Sequence, residues 1–295
     1  MLNRITPKII IALIIITLLS FGISAVLFYN GSLSSGINNY LNFRHEIMQD
    51  PEGTIDEKLT FPAENIKYIV VRTVSTDVKF INAETGEINV NLSGDTLYDQ
   101  NQNPYVTLVG EIQNDTTLYL EVRHRPGLNL RSSNLNLDIG LPGEYSHNIS
   151  VSTVSGSLNV SELELESFDY KSISGNMKAE KLIADKITLN FTSGTADINE
   201  MNGDLIFESV SGNFRAAYKT LASNIEARTT SGDIELYLPQ DASFRLLFQT
   251  VSGEVKTAFP GTMVSSSRQK FEELVGQGDN KINIHTVSGN VQLKK

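Results

Sequence analysis

The chain has 295 residues, no cysteine and a formal net charge of −10. Without cysteine there are no disulfides, no thiol catalysis, no cysteine-ligated metal and no lipid attachment through a thiol. Lysine and arginine are scattered rather than clustered, which argues against nucleic acid as a partner; the acidic balance reads as a solubility feature.

The first element is Ile9–Phe28, an uncharged run preceded by Arg4 and Lys8 and followed by no charge until Arg44. As a helix rising 1.5 Å per residue it spans about 30 Å, the thickness of a bilayer core. The positive-inside bias puts the N-terminus in the cytoplasm and everything after Phe28 outside. A cleaved signal peptide is the alternative. Its apolar region is shorter than this one and ends in a small-x-small site, which Ile23-Ser24-Ala25 matches poorly. The expected organisation is a cytoplasmic tail over 1–8, a transmembrane anchor over 9–28 held in the lipid bilayer, a stalk or linker over 29–64 and a β-domain over 65–295. The stalk has loop character, with a helical turn around Asn38–Met48. An external, β-rich chain without disulfides fits the bacterial cell membrane, as a single-pass protein with an extracytoplasmic C-terminal domain.

From about Lys67 the sequence alternates with period two, the mark of strands with one buried face. The stretch 82–147 reads as diverged strands at Glu87–Leu92, Tyr105–Ile112, Thr117–Arg123 and Asn134–Ile139. Turn signals separate them at Thr85-Gly86, Ser93-Gly94, Asn103-Pro104 and Pro126-Gly127.

From residue 148 the alternation becomes a repeat. Seven Ser-Gly pairs, with glycines Gly156, Gly175, Gly194, Gly212, Gly232, Gly253 and Gly289, follow one another at spacings of 19, 19, 18, 20, 21 and 36 residues. Counted from each Ser, apolar residues stand six and four before it (Ile149 and Val151 in the first copy) and three and five after it (Leu158 and Val160). Among these 28 positions only Thr257 is polar. The parity changes across Ser-Gly, which marks a corner. Gly is expected there for a positive φ, and the Ser hydroxyl for a local bond to a turn amide. A period near 19 with fixed internal grammar predicts an all-β solenoid, a β-helix of stacked coils. One coil cannot offset the entropy of ordering its own backbone, so the coils must stack. The same register recurs upstream at Ile69, Val71, Ser75, Val78 and Phe80, with Thr76 in place of Gly. The β-branched or hydroxyl residues before each Ser (Val154, Ile173, Thr192, Val210, Thr230, Val251, Val287) suit strand backbone on either face.

The 36-residue interval carries an insertion over 262–280, expected as a loop with a short helix around Ser267–Leu274. No separate cap is visible before Lys294-Lys295.

Candidate chemistry is sparse. His45, His124, His147 and His285 do not stand at metal-ligand spacing. The repeated Ser lacks the Gly-x-Ser-x-Gly elbow of a nucleophile. In the outward columns Asp233, Glu235 and Glu254 are expected as neighbours on adjacent coils. They read either as a solvated mixed-charge face or as a weak cation or sugar site. A hydroxyl ladder two residues before each Ser (Thr73, Thr153, Ser172, Ser209, Thr229, Thr250, Thr286, broken by Phe191) shares the parity of buried columns, which disfavours ice binding. No catalytic residue, cofactor or metal is assigned.

Asp138-Ile139-Gly140-Leu141-Pro142, followed by Ile149–Gly156, resembles the hallmark of the bacterial "putative adhesin" family, a domain of unknown function that includes LiaG-type membrane-anchored proteins. A second Leu238-Pro239 precedes Gln249–Gly253. The resemblance covers about residues 66–295. It implies a β-helix, an N-terminal anchor and a place among cell-envelope stress genes, and it brings no catalytic residues. The expected function is a non-enzymatic, adhesin-like binding or scaffolding module at the bacterial envelope, with an envelope protein or cell-wall glycan as partner. A partner or sensor in an envelope stress response, and a glycan-active β-helix enzyme, are the alternatives.

Overall fold

The computed structural model describes residues 52–98, 103–125, 134–267 and 269–295. The anchor Ile9–Phe28, the turn at Asn38–Met48 and the rest of 1–51 lie outside the described residues, as does the turn at Pro126-Gly127. Among the described residues the fold is all-β, with strands and no helix.

The repeats stack as parallel strands whose registers match the sequence columns. Strands β9 (Leu158–Ser172), β10 (Met177–Phe191) and β11 (Thr195–Ser209) each run fifteen residues. They pair with Met177 beside Leu158 and Ala196, and Ile187 beside Phe168 and Leu205. Each changes partners midway, the first half of β9 meeting β3 (Asp77–Ala83) and its second half β8 (Asn148–Thr153), so the coils form two strand stacks within one continuous sheet. The two inner faces close a single apolar core, in which Phe168, Tyr170, Phe207 and Phe214 are almost wholly buried. Of the 28 apolar-column positions only Val255 and Thr257 are less than fully buried, because they belong to a strand at the edge of the stack.

The eighth copy is in place. β2 (Tyr68–Arg72) and β3 (Asp77–Ala83) pair in parallel with β8 (Asn148–Thr153) and β9, setting Ile69 beside Ile149 and Phe80 beside Val160. On their other side they meet β6 (Thr117–His124) and β7 (Leu135–Pro142), also in parallel. Beyond these the pairing turns antiparallel. β5 (Val106–Gln113) covers β6, β4 (Glu87–Leu97) covers β7, and β1 (Glu52–Pro62) covers β4. Residues 52–62, expected in the stalk, are therefore an eleven-residue strand of the sheet. Alternation over Ile55–Phe61 was masked in the sequence by the charges of Asp56, Glu57 and Lys58.

The far end departs from sequence order. β12 (Asn213–Tyr218) and β13 (Ile225–Thr229) follow β11, and β14 (Ile234–Tyr237) pairs with β12. The next coil in space is the last in sequence. β19 (Asn280–Thr286) lies between β13 and β15 (Phe244–Thr250), and β20 (Val291–Lys294) lies between β14 and β16 (Val255–Thr257). The order of corners along the stack is thus 76, 156, 175, 194, 212, 232, 289, 253.

The insertion contains no helix. β17 (Thr262–Ser266) and β18 (Lys270–Val275) form an antiparallel hairpin, and β18 pairs with the free edge of β15. It is the cap that the sequence did not reveal. Lys270 to Val275 mimics helical amphipathicity only over one turn; as a strand it turns Glu273 and Val275 inward.

Candidate binding surface

Each corner is built from four consecutive residues. The N–H of every corner Ser donates to the backbone carbonyl of the residue before the Ser in the adjoining coil, from Ser155 to Val74 through Ser252 to Val287, all at 2.8–2.9 Å. The Ser hydroxyl adds a second, weaker bond across coils rather than a local one: Ser155, Ser211 and Ser252 Oγ donate to the same carbonyls at 3.4 Å. The local bond belongs to the hydroxyl ladder. Thr153 Oγ1 accepts the Gly156 N–H at 3.0 Å, Ser172 Oγ that of Gly175 at 2.7 Å and Thr286 Oγ1 that of Gly289 at 2.7 Å. These hydroxyls are buried, so each satisfies an amide that water does not reach.

The corner glycines serve a different purpose from the one expected. Only Gly194 has a positive φ, of 128°. The other six are needed for space. A Cβ on Gly175 would stand 2.0 Å from the Gly156 carbonyl oxygen, and one on Gly232 or Gly253 would stand 2.0 Å from that of Gly212 or Gly289. The exceptional backbone of Gly194 coincides with Phe191, which replaces the ladder hydroxyl. The Phe191 ring joins Tyr170 (centroids 5.3 Å apart) and Phe207 (6.0 Å) in an aromatic cluster.

With these bonds fixed, the residue before each Ser points outward. Val74, Val154, Ile173, Val210 and Val251 are 42–60% exposed, and Thr192, Thr230 and Val287 complete the row. Eight coils at about 4.8 Å spacing make a ridge about 34 Å long. It is uncharged, and its side chains are stiff at χ1 because they branch at Cβ.

Asp233, Glu235 and Glu254 are not on adjoining coils, because the coil of Asn290 and Gln292 lies between them. Asp233 Oδ1 accepts the Asn290 N–H at 2.9 Å, and Asn290 Oδ1 accepts that of Glu254 at 3.3 Å. Glu235 is paired with Lys294 and hydrogen-bonded by Tyr237, and the Lys294 partnership holds its carboxyl below the usual range. The column beginning at Asp77 acts instead as a side-chain spine: Asp77, Asn176 and Asn213 also accept a backbone N–H of the next coil at 2.7–2.9 Å. Among the described histidines, His285 and His124 are half-buried with their pKa values lowered by desolvation, and His147 pairs with Glu166 at 3.0 Å.

Midway along β9, β10 and β11, where the pairing register shifts between Ile183 and Lys186, an open groove of about 550 Å³ runs across them. No pattern in the residues marks it, because it is made where the strand periodicity breaks.

The Toastrack DUF4097 family model matches residues 127–294. No curated protein matches the chain. Among solved structures, a "putative adhesin" from Bacteroides fragilis is similar at 11% identity, over 81% of this chain and 97% of that one, with a TM-score of 0.43. A "putative cell adhesion protein" from Clostridium sporogenes is similar at 12% identity, over 82% and 99%, with a TM-score of 0.38. A "putative lipid binding protein" from Parabacteroides distasonis is similar at 14% identity, over 81% and 97%, with a TM-score of 0.34.

Proposed function

Because the chain belongs to the Toastrack DUF4097 family, whose model spans more than half of it, we propose that it is a non-enzymatic binding module, held at the bacterial envelope by the Ile9–Phe28 anchor, whose stacked coils present a fixed surface to another envelope protein. The observation that carries this reading is the exposed ridge from Val74 to Val251. Burying valine and isoleucine side chains contributes roughly 25 cal/mol per Å². Branching at Cβ leaves little rotamer freedom to lose, so most of that gain is kept on binding. The ridge has neither charge to attract an ionic glycan nor aromatic rings to stack on sugar, which favours an apolar strip on a protein.

The test is photo-crosslinking in native membranes from positions 173 and 210, with position 178, exposed on another face, as control. Discrete protein adducts from the ridge and not from 178 are expected. Equal labelling from all three would overturn the assignment of the ridge. Protease added to intact cells should remove the domain; a protected C-terminal tag would overturn the topology.

A further inference from the structure

The groove midway along the long strands is lined by Glu164, Glu166, Asp185 and Asp204 and by no basic side chain. Two of these acids already have partners. Glu164 pairs with Lys181, and Glu166 accepts from Asn148 Nδ2 at 3.0 Å while meeting His147 Nδ1 at 3.0 Å. The other two keep acceptor capacity. Asp185 is exposed and makes no hydrogen bond or ion pair among the described residues. Asp204, on the next coil, spends only Oδ1, on the Asn224 N–H at 2.8 Å.

A second observation points the same way. Ser223 lines the groove, is 7% exposed, and its Oγ has no hydrogen-bond partner. A buried hydroxyl left unpaired is costly and rare in folded proteins. The remaining wall combines aliphatic Leu165, Ile183, Ala184 and Ala222 with Ser146, Asn202 and Gly203.

We propose that this groove binds a primary alkylammonium group, its nitrogen held by the Asp185 and Asp204 carboxylates and Ser223 Oγ, and its methylene chain lying along Leu165 and Ile183. An ammonium offers three N–H donors and no acceptor, which matches three acceptors on the protein. Its alkyl stem is what an aliphatic wall covers well. A quaternary ammonium would call for an aromatic cage, and the lining has none. The ligand is either a free polyamine or a lysyl side chain of a peptide. The groove lies midway along the long strands, away from the corners that carry the ridge, so the inference does not depend on the ridge having a partner.

The test is calorimetric titration of the full chain in a non-ionic detergent with 1-aminopentane, 1-pentanol, 1,5-diaminopentane and Nα-acetyl-lysine N-methylamide. Saturable binding of the amine but not the alcohol is expected. The double variant D185N/D204N should weaken it about tenfold or more, since hydrogen bonds to charged groups are among the strongest. Asparagine at 204 keeps the acceptor for Asn224, and D185N alone alters a side chain without partners, so loss of fold does not obscure the result. Ser223→Ala should weaken binding less, and Glu254→Gln not at all. Tighter binding of the diamine assigns a polyamine; tighter binding of the lysine amide assigns a peptide. Equal binding of amine and alcohol, unaltered binding in the double variant, or no saturable binding would overturn the proposal.

Discussion

The Cα of Gly175 faces the carbonyl oxygen of Gly156, and the Cα of Gly156 faces that of Thr76. Down this column the spacing of the coils leaves no room for a methyl group, since a Cβ would fall well inside 3.0 Å of backbone. Gly175→Ala should therefore cost about 1–3 kcal/mol, as overpacking does where the obstacle cannot move aside. Gly143→Ala, with nothing within 4 Å of its Cβ position, should stay within about 0.5 kcal/mol. Urea unfolding of the two variants measures the difference; equal midpoints would remove the steric account of the corner. The position of these glycines was legible in the sequence, but their reason was not. Parity shift and positive φ are both local quantities, whereas the obstacle is an atom nineteen residues away in the chain. The ladder hydroxyls show the same limit. Their inward parity could be read, but the amide each one satisfies is visible only once the corner has closed.

At the scale of elements, the insertion acts through its antiparallel pairing. β18 covers the edge that β15 would otherwise offer to another chain, a standard hazard of open sheets. Within it Glu273 is 7% exposed, with Oε2 unpaired, and it packs against Gly261. Burial raises its pKa above the ordinary 4.5, with a bond to Thr257 acting the other way. A raised value means that the folded state holds the proton more tightly than the unfolded one. That contribution is full below the unfolded value and is lost as pH rises through the folded value. Glu273→Gln should accordingly raise Tm at pH 7 and give no gain at pH 4. A thermal melt at the two values decides it, and an equal gain at both would exclude the carboxyl as the cause. The hairpin escaped sequence reading because six residues of mixed charge and apolar type fit one helical turn as well as one short strand.

For the whole molecule, the columns of the repeat foretold the register of strand pairing from Ile69 to Leu293, including the upstream copy without glycine. That succeeded because each column reports the same inward-facing position in every coil. The order of the coils was not legible. Columns are identical for any permutation of the stack, so nothing in them says that 289 precedes 253. The binding surfaces were hidden for related reasons. The ridge needed the direction of a β-branched residue at a parity break, and the groove needed Asp185, Asp204 and Ser223 brought together across three coils.

The displaced last coil has a kinetic meaning. β13 and β15 belong to coils that follow one another in sequence but are held apart by β19, which pairs with β13 across 57 residues, as Ile225 with Ile282. A stack built in order of synthesis would pair β13 with β15 directly, in the wrong register of coils and with matching columns to favour it. The native molecule must keep that slot open until its final segment arrives, and closing so long a loop is slow. Pulsed hydrogen exchange during refolding should therefore find the amides of β10 protected well before those of β15. Simultaneous protection would mean that the slot is never open.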